Sequence, residues 1–176
     1  ASAAPVAAAP AASAPADALA AVRLDFALAD KALDGDAVAL SGDAWKRSRT
    51  RAVGGGLAGG FSKWQRRFVE ARSGLVMYFK RETDDKPTNF FKANLIAAVR
   101  PLPAGAPPPP VAGPGAVAAA KGAGGDAVCG LEVDLLDGKT YHFAFDTVEE
   151  RAAWFSLFGG IAARGLESRE RGAGAG

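Results

Sequence analysis

Short apolar runs separated by turn residues dominate the middle of this chain. Ala37–Arg47 reads as a strand that turns basic at Trp45-Lys46-Arg47. Phe61–Ala71 and Leu75–Arg81 read as two strands around Ser73-Gly74, a hairpin with short-turn chemistry. Thr83–Pro87 marks a further turn, and Phe90–Val99 supplies one or two more strands. Val128–Leu136 and Thr140–Phe145 make a second hairpin around Asp137-Gly138.

The period then changes. Thr147-Val-Glu-Glu150 has the form of a capping box, with Thr as N-cap and Glu three residues on. Glu149 and Glu150 also suit the positive end of a helix dipole. Trp154, Leu157, Phe158 and Ile161 follow at i, i+3, i+4 and i+7, one apolar stripe. Gly159-Gly160 weakens that helix by about 1 kcal/mol per glycine relative to alanine. The charged and Gly/Ala-rich residues 166–176 are expected to be a frayed, disordered tail. Near the other end, Leu19, Val22, Phe26 and Leu33 recur at near-helical spacing. Residues 17–36 therefore read as a short helix or linker, ended by Asp34-Gly35-Asp36. Several strands followed by one amphipathic helix make a small sandwich or open barrel that the helix covers.

Composition marks what lies outside that core. Residues 1–16 are Ala/Pro/Ser-rich and read as linker or disorder, because they cannot bury enough surface to offset ordering. Of the 25 positions from 101 to 125, 21 are Pro, Ala or Gly, which predicts an exposed insertion serving as a spacer. The stretch SRTRAVGGGLAGG reads as a flexible loop. It lacks the Gly-Lys-Ser/Thr ending of a phosphate-cradling loop. A length of 176 residues suits one domain with a modest core. No run reads as a transmembrane helix or a convincing signal peptide. Without an initiator Met, the chain reads as processed or as a piece of a longer one.

The net charge of +2 conceals a polarity: residues 1–43 carry −4, residues 44–100 carry +9, and residues 126–176 carry −4. A basic block between acidic ends suits an anionic partner, whether phosphate, lipid headgroup or nucleic acid; the plainer reading is a solvated basic surface. Catalytic chemistry finds little support. His142 is the sole histidine, in a strand where a hydrogen-bonded structural role is expected, and Cys129 sits in another apolar strand as an inert thiol. One cysteine excludes an internal disulfide framework and a multi-cysteine zinc site, and no metal or cofactor motif appears. The RNP and zinc-finger patterns of nucleic-acid binders are absent too.

The strand-rich basic half followed by DGKTYHFAFDTVEERAAWFSLFGGIA resembles the pleckstrin homology (PH) domain family. Phe61-Ser-Lys-Trp-Gln-Arg-Arg-Phe looks like its second strand, Leu75-Val-Met-Tyr-Phe-Lys its third, Thr140–Phe145 its seventh, and Trp154 its recurrent helix tryptophan. The resemblance spans about residues 37–165, interrupted at 101–125. It implies a mainly β fold: a seven-strand, partly open barrel or sandwich capped by a C-terminal α-helix. It also implies a basic mouth between the strand-joining loops, which in many members takes a phosphoinositide. Carried over position by position, Lys46 matches the lysine ending strand 1, Arg67 the strand-2 arginine and Tyr78 the strand-3 tyrosine. Gln65 stands where Lys or Arg is expected, no Arg lies near Thr88, and the Arg47–Ser62 loop is long. These departures argue against high affinity and 3-phosphoinositide selectivity.

Strand parity puts Gln65, Arg67, Val69 and Ala71 on one face, and Trp64, Arg66, Phe68 and Glu70 on the other. Arg67 is therefore expected to face the mouth, with Lys63 and Arg66 assisting through their field. Arg47, Arg49 and Arg51 are expected near the same mouth, with Leu57 and Phe61 touching the membrane interface. Trp64 and Trp154 are expected to be core residues and not ligand contacts. The implied partner is a phosphoinositide or other anionic membrane lipid, reached from the cytoplasm at the inner membrane surface, with no enzymatic activity and no cofactor. The alternative is a protein-interaction or scaffold module without specific lipid binding.

Overall fold

A computed structural model of the chain describes residues 22–49, 62–102 and 130–173. The expectations for residues 1–16, for Arg51, Leu57, Phe61 and Cys129, and for nearly all of 101–125 lie outside it, as does the Arg49 side chain.

Seven strands among the described residues form one antiparallel sheet: β1 (Leu40–Arg49), β2 (Gln65–Arg72), β3 (Leu75–Phe79), β4 (Asn89–Lys92), β5 (Ile96–Pro101), β6 (Gly130–Leu135) and β7 (Thr140–Ala144). Their order is β4-β3-β2-β1-β7-β6-β5, so β1 sits at the centre between β2 and β7. The segment expected to give one or two strands after Phe90 gives two, joined by a 3-10 turn at Ala93–Leu95. The β2–β3 hairpin turns on Ser73 (φ 51°) and Gly74 (φ 72°). Positive φ at both central residues gives the turn whose twist matches the flanking strands.

Helix α1 spans Phe26–Asp34, and α2 spans Val148–Ala173. The capping box forms at α2: the Thr147 N–H donates to Glu150 Oε2 and the Glu150 N–H to Thr147 Oγ1, each at 3.1 Å. All four stripe residues, Trp154, Leu157, Phe158 and Ile161, are buried. Trp154 lies 5.2 Å from Phe158 and stacks on Phe145, and Phe158 packs against Phe143 of the sheet. Truncating such an aromatic costs about 3–5 kcal/mol.

Two expectations are corrected. Helix α2 does not fray after Gly165 but runs on to Ala173, with Arg164 paired to Glu167 one turn along. The apolar residues read from spacing seat α1 only in part: Val22 and Leu33 pack against the core, but Phe26 does not. Phe26 is 39% exposed, whereas Ala29 and Ala32 are wholly buried. Gly159 and Gly160 explain this. A Cβ at Gly160 would stand 3.0 Å from Ala29 Cβ, and one at Gly159 would stand 2.6 Å from Leu24 Cδ2. The two glycines cost helix propensity but let α1 approach the backbone of α2 closely. Polar bonds fix the contact. Ser156 Oγ accepts from the Asp25 N–H at 2.9 Å and donates to the Arg23 carbonyl at 2.8 Å. Arg164 grips both oxygens of Asp30, at 3.0 and 2.9 Å.

Candidate functional site

The basic run at the end of β1 is divided by strand parity. Ala44 is registered opposite Arg67, and Lys46 opposite Gln65. Directly opposed residues share a face. Ala44, Val69 and Ala71 are core residues, so Lys46 and Arg67 lie on the inner face, where β1 leaves for residues 50–61 and β2 returns from them. The Lys46 ammonium stands 4.4 Å from the ring centroid of Tyr78 and 4.9 Å from that of Tyr141. Two electron-rich faces beneath a cation contribute about 0.5–2 kcal/mol. Burial, and then the Arg67 charge beside it, lower the Lys46 pKa to about 8.

Tyr78 forms the floor of this cup. It is 2% exposed, and its hydroxyl makes no hydrogen bond among the described residues. Burial pushes its pKa well up, and the neighbouring Tyr141 phenol adds to the shift. Arg67 is held by its own strand: Nη1 donates to the Arg66 carbonyl and Nη2 to Gln65 Oε1, both at 2.7 Å. Gln65, which departs from the expected cation, is therefore an acceptor that steers Arg67. A lysine or arginine there would repel it. Among the described residues no carboxylate pairs with Lys46 or Arg67.

Lys63 is exposed in the segment just before β2. The Ser62 N–H donates to the Ser48 carbonyl, and Ser62 Oγ accepts from the Ser48 N–H, which keeps Lys63 beside the end of β1. Arg66 is not part of the cup. It lies on the outer face, over the Trp45 ring, with Nη2 at 3.3 Å from Asp43 and 2.9 Å from Asp146.

Arg47 is a correction as well. It does not line the mouth but is buried on the outer face. Its Nε and Nη2 donate to His142 Nδ1 at 3.1 and 3.0 Å, and Trp64 lies over its guanidinium at 4.7 Å. Because arginine can only donate, His142 carries its proton on Nε2 and donates it to Glu132 at 2.8 Å. Burial lowers the His142 pKa; the Glu132 bond opposes the shift and the Arg47 charge reinforces it. Trp64 is thus corrected too: it packs on this outer network and not in the core. Residue spacing alone did not reveal Tyr141. The alternation Tyr141-His142-Phe143, with Phe143 inward, carries that signal.

Seven antiparallel strands in this order, followed by a C-terminal helix whose tryptophan stripe is buried in the core, decide the fold. The fold is PH-like. No family model matches the sequence, and no curated protein matches it. Solved structures of similar fold include the PH domain of human oxysterol binding protein-related protein 11, at 16% identity, covering 73% of this chain and 85% of that one, TM-score 0.44. The PH domain of human pleckstrin homology domain-containing protein family A member 5 is similar at 14% identity, covering 72% and 77%, TM-score 0.44. The PH domain of the human KIAA0053 protein is similar at 18% identity, covering 70% and 87%, TM-score 0.41. Among the described residues, no helix of the PH-like domain is long and apolar enough to cross a membrane.

Proposed function

We propose that this PH-like domain is a recruitment module. Its Lys46–Arg67 cup takes a phosphoinositide or another anionic phospholipid headgroup at the inner membrane surface. One observation carries the reading: two cations converge on the inner face with no carboxylate partner among the described residues, and Lys46 is already partly stripped of water. An anion restores the charge balance that burial disturbs, and charge-assisted hydrogen bonds contribute about 1.5–3 kcal/mol each. Arg67 supplies a guanidinium pre-aimed by Gln65, while Tyr78 and Tyr141 position the Lys46 ammonium. Lys63 adds attraction at the rim. Arg66, shared between Asp43 and Asp146, adds little, as exposed ion pairs do. The mode is electrostatic attraction to the surface followed by headgroup capture, with no covalent step.

Liposome co-sedimentation at physiological salt tests this. Phosphoinositide vesicles are compared with phosphatidylserine vesicles of equal charge. The wild type pellets with the former, and Lys46→Ala/Arg67→Ala releases it by tenfold or more. Equal pelleting of wild type and double variant removes the cup from the account. Dependence on total charge alone reduces the cup to a basic patch. A protein pulldown that survives the double variant, with no vesicle binding, favours the scaffold reading.

A further inference from the structure

The two features that the sequence pattern concealed, the docked α1 and the long α2, enclose something else. Between them, the 3-10 turn and the β6–β7 turn lies a cavity of about 420 Å³, sharing no residue with the cup. That volume falls in the range of small-ligand pockets, about 300–1,000 Å³. Its apolar lining is Leu33 from α1, Leu95, Leu136 and Ile161. Leu136 is 51% exposed, a large apolar side chain left open to water at this wall. On the α2 side, Gly165 presents no side chain, and the Arg169 guanidinium folds back into contact range, 3.7 Å from where a Cβ at Gly165 would be.

We propose that this cavity binds a single-chain fatty carboxylate, with the alkyl chain against the leucines and Ile161 and the carboxylate on Arg169. The charges select the head. Arg164, also in the lining, is already occupied by Asp30 and Glu167. Arg169 has no carboxylate partner among the described residues. One available guanidinium matches one carboxylate through two parallel N–H donors. A phosphate dianion calls for more than one free cation. The volume bounds the chain length: at about 30 Å³ per methylene (the size of one water in the liquid), 420 Å³ holds at most about fourteen groups, the carboxylate included. Ligand and protein would also bury Leu136, at about 25 cal/mol per Å² of apolar surface removed from water.

The test is methyl-resolved NMR on the full chain, titrated with sodium octanoate and, in parallel, with 1-octanol. Octanoate produces saturable shifts at the methyls of Leu33, Leu95, Leu136 and Ile161, and octanol binds at least fivefold more weakly. Arg169→Gln lowers octanoate affinity at least fivefold. Gly165→Leu fills the space and abolishes the saturable shifts; its melting temperature and circular dichroism show that the fold remains. Lys46→Ala/Arg67→Ala leaves octanoate binding unchanged, so failure of the headgroup reading does not touch this one. Non-saturating shifts, equal binding of octanol and octanoate, or an Arg169→Gln variant that binds as the wild type does would each overturn the proposal.

Discussion

Raising the pH from 7 to 9 removes nearly half the charge of the cup, and only through one residue. The Lys46 pKa of about 8 follows from burial and from Arg67. Its protonated fraction then falls from about nine-tenths to about one-tenth across this interval. A guanidinium keeps its charge across this interval, and a phosphate monoester, with a second pKa of about 6, stays dianionic. If the headgroup binds the ammonium form, its affinity drops about tenfold, or roughly 1.4 kcal/mol. Bound phosphate draws the Lys46 pKa upward, so binding near pH 8 takes up about half a proton. The assay is titration calorimetry with a soluble inositol phosphate at constant salt, in two buffers of different ionisation enthalpy. Lys46→Arg keeps the charge at both pH values and flattens the profile. The linkage has a second face in the free domain. An unfolded Lys46 binds more protons than the folded one between about pH 8 and 10.5. This residue's contribution to stability therefore grows as pH rises through that window. Equal wild-type affinity at pH 7 and 9, or an equal loss in Lys46→Arg, would refute the reasoning.

Other outcomes follow from the remaining contacts. Gly160→Val forces a side chain onto Ala29 Cβ and the Asp25 carbonyl, at 3.0 and 3.1 Å from the Cβ position. It costs about 1–3 kcal/mol and frees the α1 amides to exchange; a raised melting temperature would contradict this. Gln65→Ala removes the acceptor that steers Arg67, weakening vesicle binding a few-fold with stability unchanged, while Gln65→Lys binds no better than the wild type. The depressed His142 pKa means that the unfolded chain binds more protons just below pH 6.5. Stability is therefore full above that value and is lost as pH falls through the folded-state pKa, and His142→Gln flattens this limb of the melting curve.

Large apolar side chains and strong turn residues announced themselves in the sequence. The Trp154–Ile161 stripe, the Thr147/Glu150 box and Ser73-Gly74 all appear where their chemistry put them. What escaped notice rests on small residues. Alanines 29 and 32 carry little hydrophobic signal, and Gly159-Gly160 reads locally as a weakness. The contact between them exists only in three dimensions. The end of α2 escaped for a related reason: charged residues look like a tail until Arg164 is seen holding Glu167 and Asp30. In the candidate site, strand parity anticipates that Arg67 lies on the inner face, which Lys46 and Tyr78 share. Arg47 was misplaced because three consecutive residues, Trp45, Lys46 and Arg47, were treated as one patch. Applying to β1 the parity used for β2 sends Arg47 outward. Gln65 looked like a loss of charge because its hydrogen bond to Arg67 has no linear signature.

The central place of β1 also has a kinetic consequence. Its partner β2 follows soon along the chain, but the partners across the β1–β7 pair lie far off: Arg47 and His142 are 95 positions apart. The middle of the sheet is therefore closed late, after most of the chain has been synthesised and collapsed. Lengthening the intervening segment adds little to the free-energy cost, since loop closure grows only logarithmically. Until β7 arrives, however, β1 presents an open hydrogen-bonding edge, able to pair with the β1 of another molecule. A nascent or truncated chain ending after β5 is thus a half-sheet with an adhesive centre. Strands β6 and β7 protect the fold from self-association as much as they complete it.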